Sequence, residues 1–185
     1  MGKREDILEA TLQLINEDGL QSVTFAKIFK RANVGSSTVY HYFQDKEQLV
    51  NELFDLLRIH RTEQVMNNYD ANQPIYERVK TILRNMAQYA LKYPEKLTFL
   101  ENHSYSPYIA EEIRNAQDPS VVEVFSIIRE GQQQGIIKDM ERIILIQLLY
   151  GMITSVIKGH LAGEYKLDQA QIQQVIELCW KTIKV

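Results

Sequence analysis

The stretch Val34-Gly35-Ser36-Ser37-Thr38-Val39-Tyr40-His41-Tyr42-Phe43-Gln44-Asp45-Lys46-Glu47-Gln48-Leu49 decides the fold. It opens on a break. Asn33-Val34-Gly35 follows a helical segment, and asparagine tolerates the left-handed backbone that a tight turn needs. A short helix then starts at Ser36 or Ser37 and runs to about Tyr42. Asp45-Lys46-Glu47 opens a further helix with an apolar face of Leu49, Leu53, Leu56 and Leu57, reaching about Met66.

Upstream, Ile7, Ala10, Thr11, Leu14 and Ile15 recur at helical spacing and form one apolar stripe. Gly19 ends that helix as a glycine past a C-terminus does. Thr24 is a good N-cap for the next helix, because its hydroxyl accepts an orphan backbone N–H; this helix carries Phe25, Ile28 and Phe29 to about Ala32. Downstream, Asn67 to Pro74 reads as a polar loop, and a helix follows from about Pro74 to Lys92. Others are expected from Pro94, after Pro107, from Pro119 to near Gly135, from Asp139 to His160, and from the cap Asp168 nearly to Val185. No strand-like alternation persists. The expected fold is all-α with about nine helices: residues 1–50 form a three-helix unit, helix four (about 45–66) joins the two parts, and residues 51–185 form a larger helical domain.

Composition excludes several classes. Of the 185 residues 45% are hydrophobic and 24% charged, the profile of an ordinary globular chain. The single cysteine, Cys179, excludes an intrachain disulfide and any CxxC site. His41, His60, His103 and His160 are too scattered for a recognisable metal site, and no GxSxG, Walker loop or GxGxxG occurs. No metal, cofactor or catalytic residue is expected, and the protein is not read as an enzyme. The N-terminus leads into no uninterrupted apolar run, so no signal peptide is expected. Ile143–Ile157 is the most apolar stretch; it is short for a membrane span and reads as a core or interface helix. The expected location is the cytoplasm, with no membrane partner.

Three short helices, the last two separated by a three-residue turn, are the elements of a helix-turn-helix. In that unit the second helix of the pair lies in the major groove of DNA with its first turn at base edges. Such a helix must begin with small polar residues, and here it begins Ser36-Ser37-Thr38. The quoted stretch resembles the signature of the TetR/AcrR family, and the resemblance extends upstream through Ile7, Ala10, Leu14, Ile15, Gly19, Thr24 and Ile28. Phe29 departs from it where alanine is usual, and Asn33 where glycine is usual. The resemblance implies a ligand-responsive transcriptional regulator, most often a repressor, bound to double-stranded operator DNA.

Resemblance and chemistry together imply roles. Ser36, Ser37 and His41 are candidates for base-edge contact. Thr38, Tyr40 and Tyr42 can donate hydroxyls to phosphates, which fix register without reading sequence. Thr24 can set its helix N-terminus against a phosphate, and Lys46 can do the same with a formal charge. Lys27 can reach backbone or base, and Lys3 and Arg4 can form a short arm. Val39 and Phe43 are core. Alternatives stay open: Ser36 as a mere N-cap, Tyr42 as partly core, His41 as a solvated side chain. Charge argues against a general basic surface, since Lys3, Arg4, Lys27, Lys30, Arg31 and Lys46 are outnumbered by Glu5, Asp6, Glu9, Glu17, Asp18, Asp45 and Glu47.

In the remaining chain, Glu130-Gly131-Gln132 with Gly135 and Asp139 resembles the stretch before the dimerisation element of the family. Ile172, Val175, Ile176, Cys179, Trp180 and Ile183 lie at heptad-like spacing and are the expected homodimer interface, with an intrachain core as the alternative. The Ile143–Ile157 helix is apolar nearly all round and so needs partners on more than one side; this helix and the last one, two from each subunit, would make a four-helix bundle. Tyr89, Tyr93, Phe99, His103, Tyr105, Tyr108, Phe125 and Tyr150 supply aromatic walls with polar tips. The resemblance implies that some of them enclose a small, largely hydrophobic effector. Two other readings of function remain: an activator of the same family, and a small-molecule- or protein-binding helical module with a non-essential helix-turn-helix.

Overall fold

The computed structural model describes residues 2–185. Among these it contains ten α-helices: α1 (Lys3–Asp18), α2 (Phe25–Ala32), α3 (Ser36–Tyr42), α4 (Lys46–Val65), α5 (Ile75–Lys92), α6 (Pro94–His103), α7 (Glu111–Arg114), α8 (Pro119–Gln133), α9 (Arg142–Leu161) and α10 (Gln169–Ile183). A 3-10 turn covers Leu20–Ser22. Only α7 is a single turn, so the expectation of about nine helices stands with one turn added. An isolated antiparallel bridge, Ile137 to Lys184, is the one β-type pairing among the described residues.

The helix ends follow their local chemistry. Gly19 takes φ 80°, a value closed to most side chains, and its N–H closes on Ile15 carbonyl. Asn33 takes φ 52° and ψ 47°, the left-handed turn read from the sequence. Asp118 caps α8 with Pro119 at its first position. Asp168 and Gln171 form a reciprocal capping box at the start of α10. Asp45 accepts the Gln48 N–H at 2.8 Å just before α4. A Cβ on Gly131 would meet Ile137 at 2.5 Å, so that position in α8 needs glycine for close approach.

The described residues divide into two compact units. The first holds the chain to Ile59 together with Pro94–Ala116. Its core gathers Ile7 and Leu12 of α1, Ile28 of α2, Val39 of α3, Leu53 of α4 and Phe99 of α6. The unit containing the helix-turn-helix therefore extends well beyond residue 50. Leu53, Phe54 and Leu57 continue its core along α4, and Phe99, Leu100 and Ile109 enter it from α6 and the segment that follows. Asn51 fastens that segment: its amide donates to Tyr108 carbonyl and accepts from the Ala110 N–H.

The second unit holds His60–Tyr93 and Gln117–Val185. Here α5, α8, α9 and α10 pack around Leu83, Ile128, Leu149, Ile153 and Ile176. A buried polar network accompanies that core. Arg78, 6% exposed, donates to Glu130, to Glu123 and to the Tyr69 hydroxyl. Asn85 donates to the carbonyls of Val65 and Asn67, satisfying acceptors at the end of α4. By length and composition alone α9 resembles a membrane span, a likeness that the core helices of water-soluble proteins share.

Candidate nucleic-acid interface

The geometry of α3 follows from two anchors. Val39 and Phe43 are fully buried in the first unit. Because helical neighbours project in different directions, fixing those positions turns Ser36, Ser37, Tyr40 and His41 outward, and all of them are exposed. Gly35 is the N-cap, so Ser36 is the first helical residue and its hydroxyl is not the capping group. That removes the alternative in which Ser36 serves only as a cap. Thr38 is half-buried, and the Tyr42 ring lies against His41 and Phe43. Thr24 caps α2, with its hydroxyl accepting the Lys27 N–H at 3.4 Å.

Four of the six cations in the first 50 residues, Arg4, Lys27, Arg31 and Lys46, are held by the protein itself. Lys27 pairs with Asp18 at 2.8 Å and Arg31 with Glu17 at 2.6 Å. Each partner bond lowers the pKa of its carboxylate. Arg4 pairs with Glu52. Lys46 donates to Leu20 carbonyl at 2.5 Å and lies 5.5 Å from the centre of the Tyr108 ring. Burial pushes its ammonium pKa down. The acids at the end of α1 are thus not a separate negative face: Glu17 and Asp18 neutralise cations of α2 directly. No sequence spacing signals these pairs, because they join positions across the intervening 3-10 turn.

The aromatic candidates for an effector site fall into both units. In the second unit His60, Tyr89 and Tyr93 form a cluster with ring centres 4.8–5.8 Å apart. The Tyr89 hydroxyl is buried without a hydrogen-bond partner among the described residues, and burial pushes its pKa up to about 12. Phe125 and Tyr150 are half-buried in the same unit. Phe99 instead belongs to the core of the first unit, packed on Phe54 and His103. Tyr105 is 87% exposed and lines no enclosed wall. With His103 it borders an open surface groove beside Gly19, Gln21 and Ser22.

The expected dimer contacts need correction. Ile172, Ile176, Cys179 and Ile183 are buried within the chain itself and have no surface left to offer a partner. The inward face of α10 packs on α5 and α9, which is the intrachain alternative. Burial pushes the Cys179 thiol up to about 11. Val175 and Trp180 are half-buried, and the Trp180 ring lies tilted against Tyr76 with ring centres 5.3 Å apart. The exposed apolar side chains include Ile143, Ile144, Leu148 and Leu161 on α9 and Leu178 on α10. Gly151 continues the α9 stripe, with open space where its Cβ would lie. The sequence marked α9 as a core or interface helix but did not single out this face, because α9 is apolar nearly all round.

Comparison with known proteins agrees with this architecture. A family model described as bacterial regulatory proteins, tetR family, matches residues 7–53, and one described as tetracyclin repressor-like, C-terminal domain, matches residues 41–185. An uncharacterized HTH-type transcriptional regulator of Haemophilus influenzae is 22% identical over 180 residues, covering 97% of this chain and 95% of that protein. A TetR family transcription regulator from Marinobacter aquaeolei has a similar structure, with a TM-score of 0.89 at 21% identity over 98% of this chain and 95% of that one. A TetR family protein from Vibrio parahaemolyticus gives 0.81 at 26% identity over 100% of both chains.

Proposed function

The chain belongs to the TetR family of bacterial regulatory proteins and is a DNA-binding transcriptional regulator of the helix-turn-helix type; from that premise we propose that it is a cytoplasmic, homodimeric repressor released from its operator by a small, largely hydrophobic molecule. The observation that carries the reading is the exposed polar face of α3, Ser36, Ser37, Tyr40 and His41, on a helix pinned by Val39 and Phe43. Ser36, Ser37 and His41 read base edges. Thr38, Tyr40 and Tyr42, with the N-terminus of α2 at Thr24, hold phosphates. Lys27 and Lys46 add to this only by exchanging their present partners for phosphate.

One short helix reads few base pairs, so two copies are needed. The exposed stripe of Ile144, Leu148 and Gly151, with Leu178, supports a surface on which a second copy docks. Effector binding is supported by the Tyr89 hydroxyl, a buried donor left without a partner in an aromatic cluster. A ligand bearing an acceptor would satisfy it. The ligand favours one separation of the recognition helices over another, and α4, which contributes to both units, carries the shift.

Selection from random-sequence DNA tests the reading. The expected product is a two-fold symmetric site with half-sites about 34–36 Å apart, or one helical turn. Native mass spectrometry of the purified protein should then reveal a bound small molecule whose addition weakens binding to that site. Failure to enrich any sequence overturns the operator reading; a bound molecule without effect on DNA affinity overturns the effector reading.

A further inference from the structure

At the rim of the helix-turn-helix an aromatic contact adds to the buried core, against which Phe25 and Phe29 are packed half-buried. Ile28 and Val39, both fully buried, already join α2 to α3. Beside them stands a second contact made only of rings. Phe25 and Phe29, one helical turn apart on α2, have ring centres 6.0 Å apart. The Tyr40 ring of α3 lies against both, 5.2 Å from Phe25 and 5.9 Å from Phe29, edge-on at 60° and 67°. These are the separations and tilts at which aromatic pairs attract. Yet Tyr40 is 58% exposed, so the cluster lies at the rim of the unit, on the proposed DNA-facing side.

We propose that Phe25 and Phe29 are positioning residues for DNA binding, forming an aromatic clamp that fixes the Tyr40 ring and presents its hydroxyl to a backbone phosphate. The inference rests on the reading of Tyr40 as a phosphate contact. An exposed tyrosine on a short helix samples several rotamers and must be ordered when it binds; a ring held from two sides is ordered beforehand. An alanine at position 29 could not reach Tyr40. The clamp acts on register and affinity without touching a base.

A double-mutant cycle on DNA affinity tests the clamp. The probe is a labelled duplex of arbitrary sequence at low salt, since phosphate contacts do not depend on sequence. Tyr40→Phe, which removes only the hydroxyl, is expected to weaken binding about tenfold, and Phe29→Ala by a similar factor. Once Phe29 is gone, adding Tyr40→Phe should cost no more than about threefold. Phe29→Leu keeps apolar bulk without the ring, and circular dichroism confirms that it folds; it should reproduce the loss. Independent, multiplicative losses in the cycle, or wild-type affinity for Phe29→Leu, overturn the clamp and leave the phosphate contact standing. Wild-type affinity for Tyr40→Phe overturns both. A wild-type protein that binds no duplex removes the inference together with the proposed function.

Discussion

Asp118 carries more of the second unit than its position at a helix end suggests. Its carboxylate accepts from Arg61 at 2.7 Å, from the Thr62 hydroxyl at 2.8 Å and from the Ser120 N–H at 2.9 Å, and it is 8% exposed. Burial alone would raise its pKa, but the bonds to Ser120, Arg61 and Thr62 outweigh burial and hold it below the ordinary value. A depressed folded pKa means stability that is complete above the unfolded value of about 3.9 and lost as the pH falls through the folded value. Asp118→Asn leaves Arg61 without its counter-charge, and urea denaturation at neutral pH should show a loss of about 3 kcal/mol. The difference from wild type should narrow below about pH 4. A difference that is constant with pH would show that the ionised carboxylate is not what matters. The cap was legible in the sequence as Pro119 at a helix start; Arg61 was not, because its partner lies far along the chain.

Among the helices, α9 carries the clearest unspent surface. Glycine inside a helix costs about 0.5–1 kcal/mol relative to alanine, and Gly151 has nothing near it within the chain. Its place in a stripe with Ile144 and Leu148 fits close approach by the same helix of a second copy. Gly151→Leu should fold, since the site is open; analytical ultracentrifugation should show a dimer for wild type, as proposed, and a monomer for the variant. A dimer of unchanged affinity would place the interface elsewhere. Helix positions were largely legible here: Gly19, Asn33, Pro119 and Asp168 each mark an end through backbone chemistry that acts locally. Which face of α10 looks inward was not legible. Ile172, Ile176, Cys179 and Ile183 have the same spacing whether they meet α5 and α9 or a partner, and only the packing of distant helices distinguishes the two. Aromatic content was equally ambiguous, since Phe99 and Tyr89 look alike in sequence yet belong to different units.

For the whole molecule, charge is distributed by pairing rather than by face. The net charge is −3, and the first unit spends Glu17 on Arg31 and Asp18 on Lys27. The combined variant Glu17→Gln, Asp18→Asn frees both cations. It should bind arbitrary duplex more tightly, with the slope of log affinity against log salt steeper by about 0.9 for each cation that finds a phosphate. An unchanged slope would mean that Lys27 and Arg31 do not reach DNA at all. The acid excess of the first 50 residues was legible; the pairing that gives it meaning depends on the turn between α1 and α2. The division into units was also hidden, because α6 returns to the N-terminal core after α5 has joined the other one. The paired cations have a consequence on the scale of a chromosome. A regulator drawn weakly to random DNA leaves few of its copies stranded on the millions of wrong sites that a genome presents. More of them remain free to search, so a small number of molecules per cell suffices to keep the right site occupied.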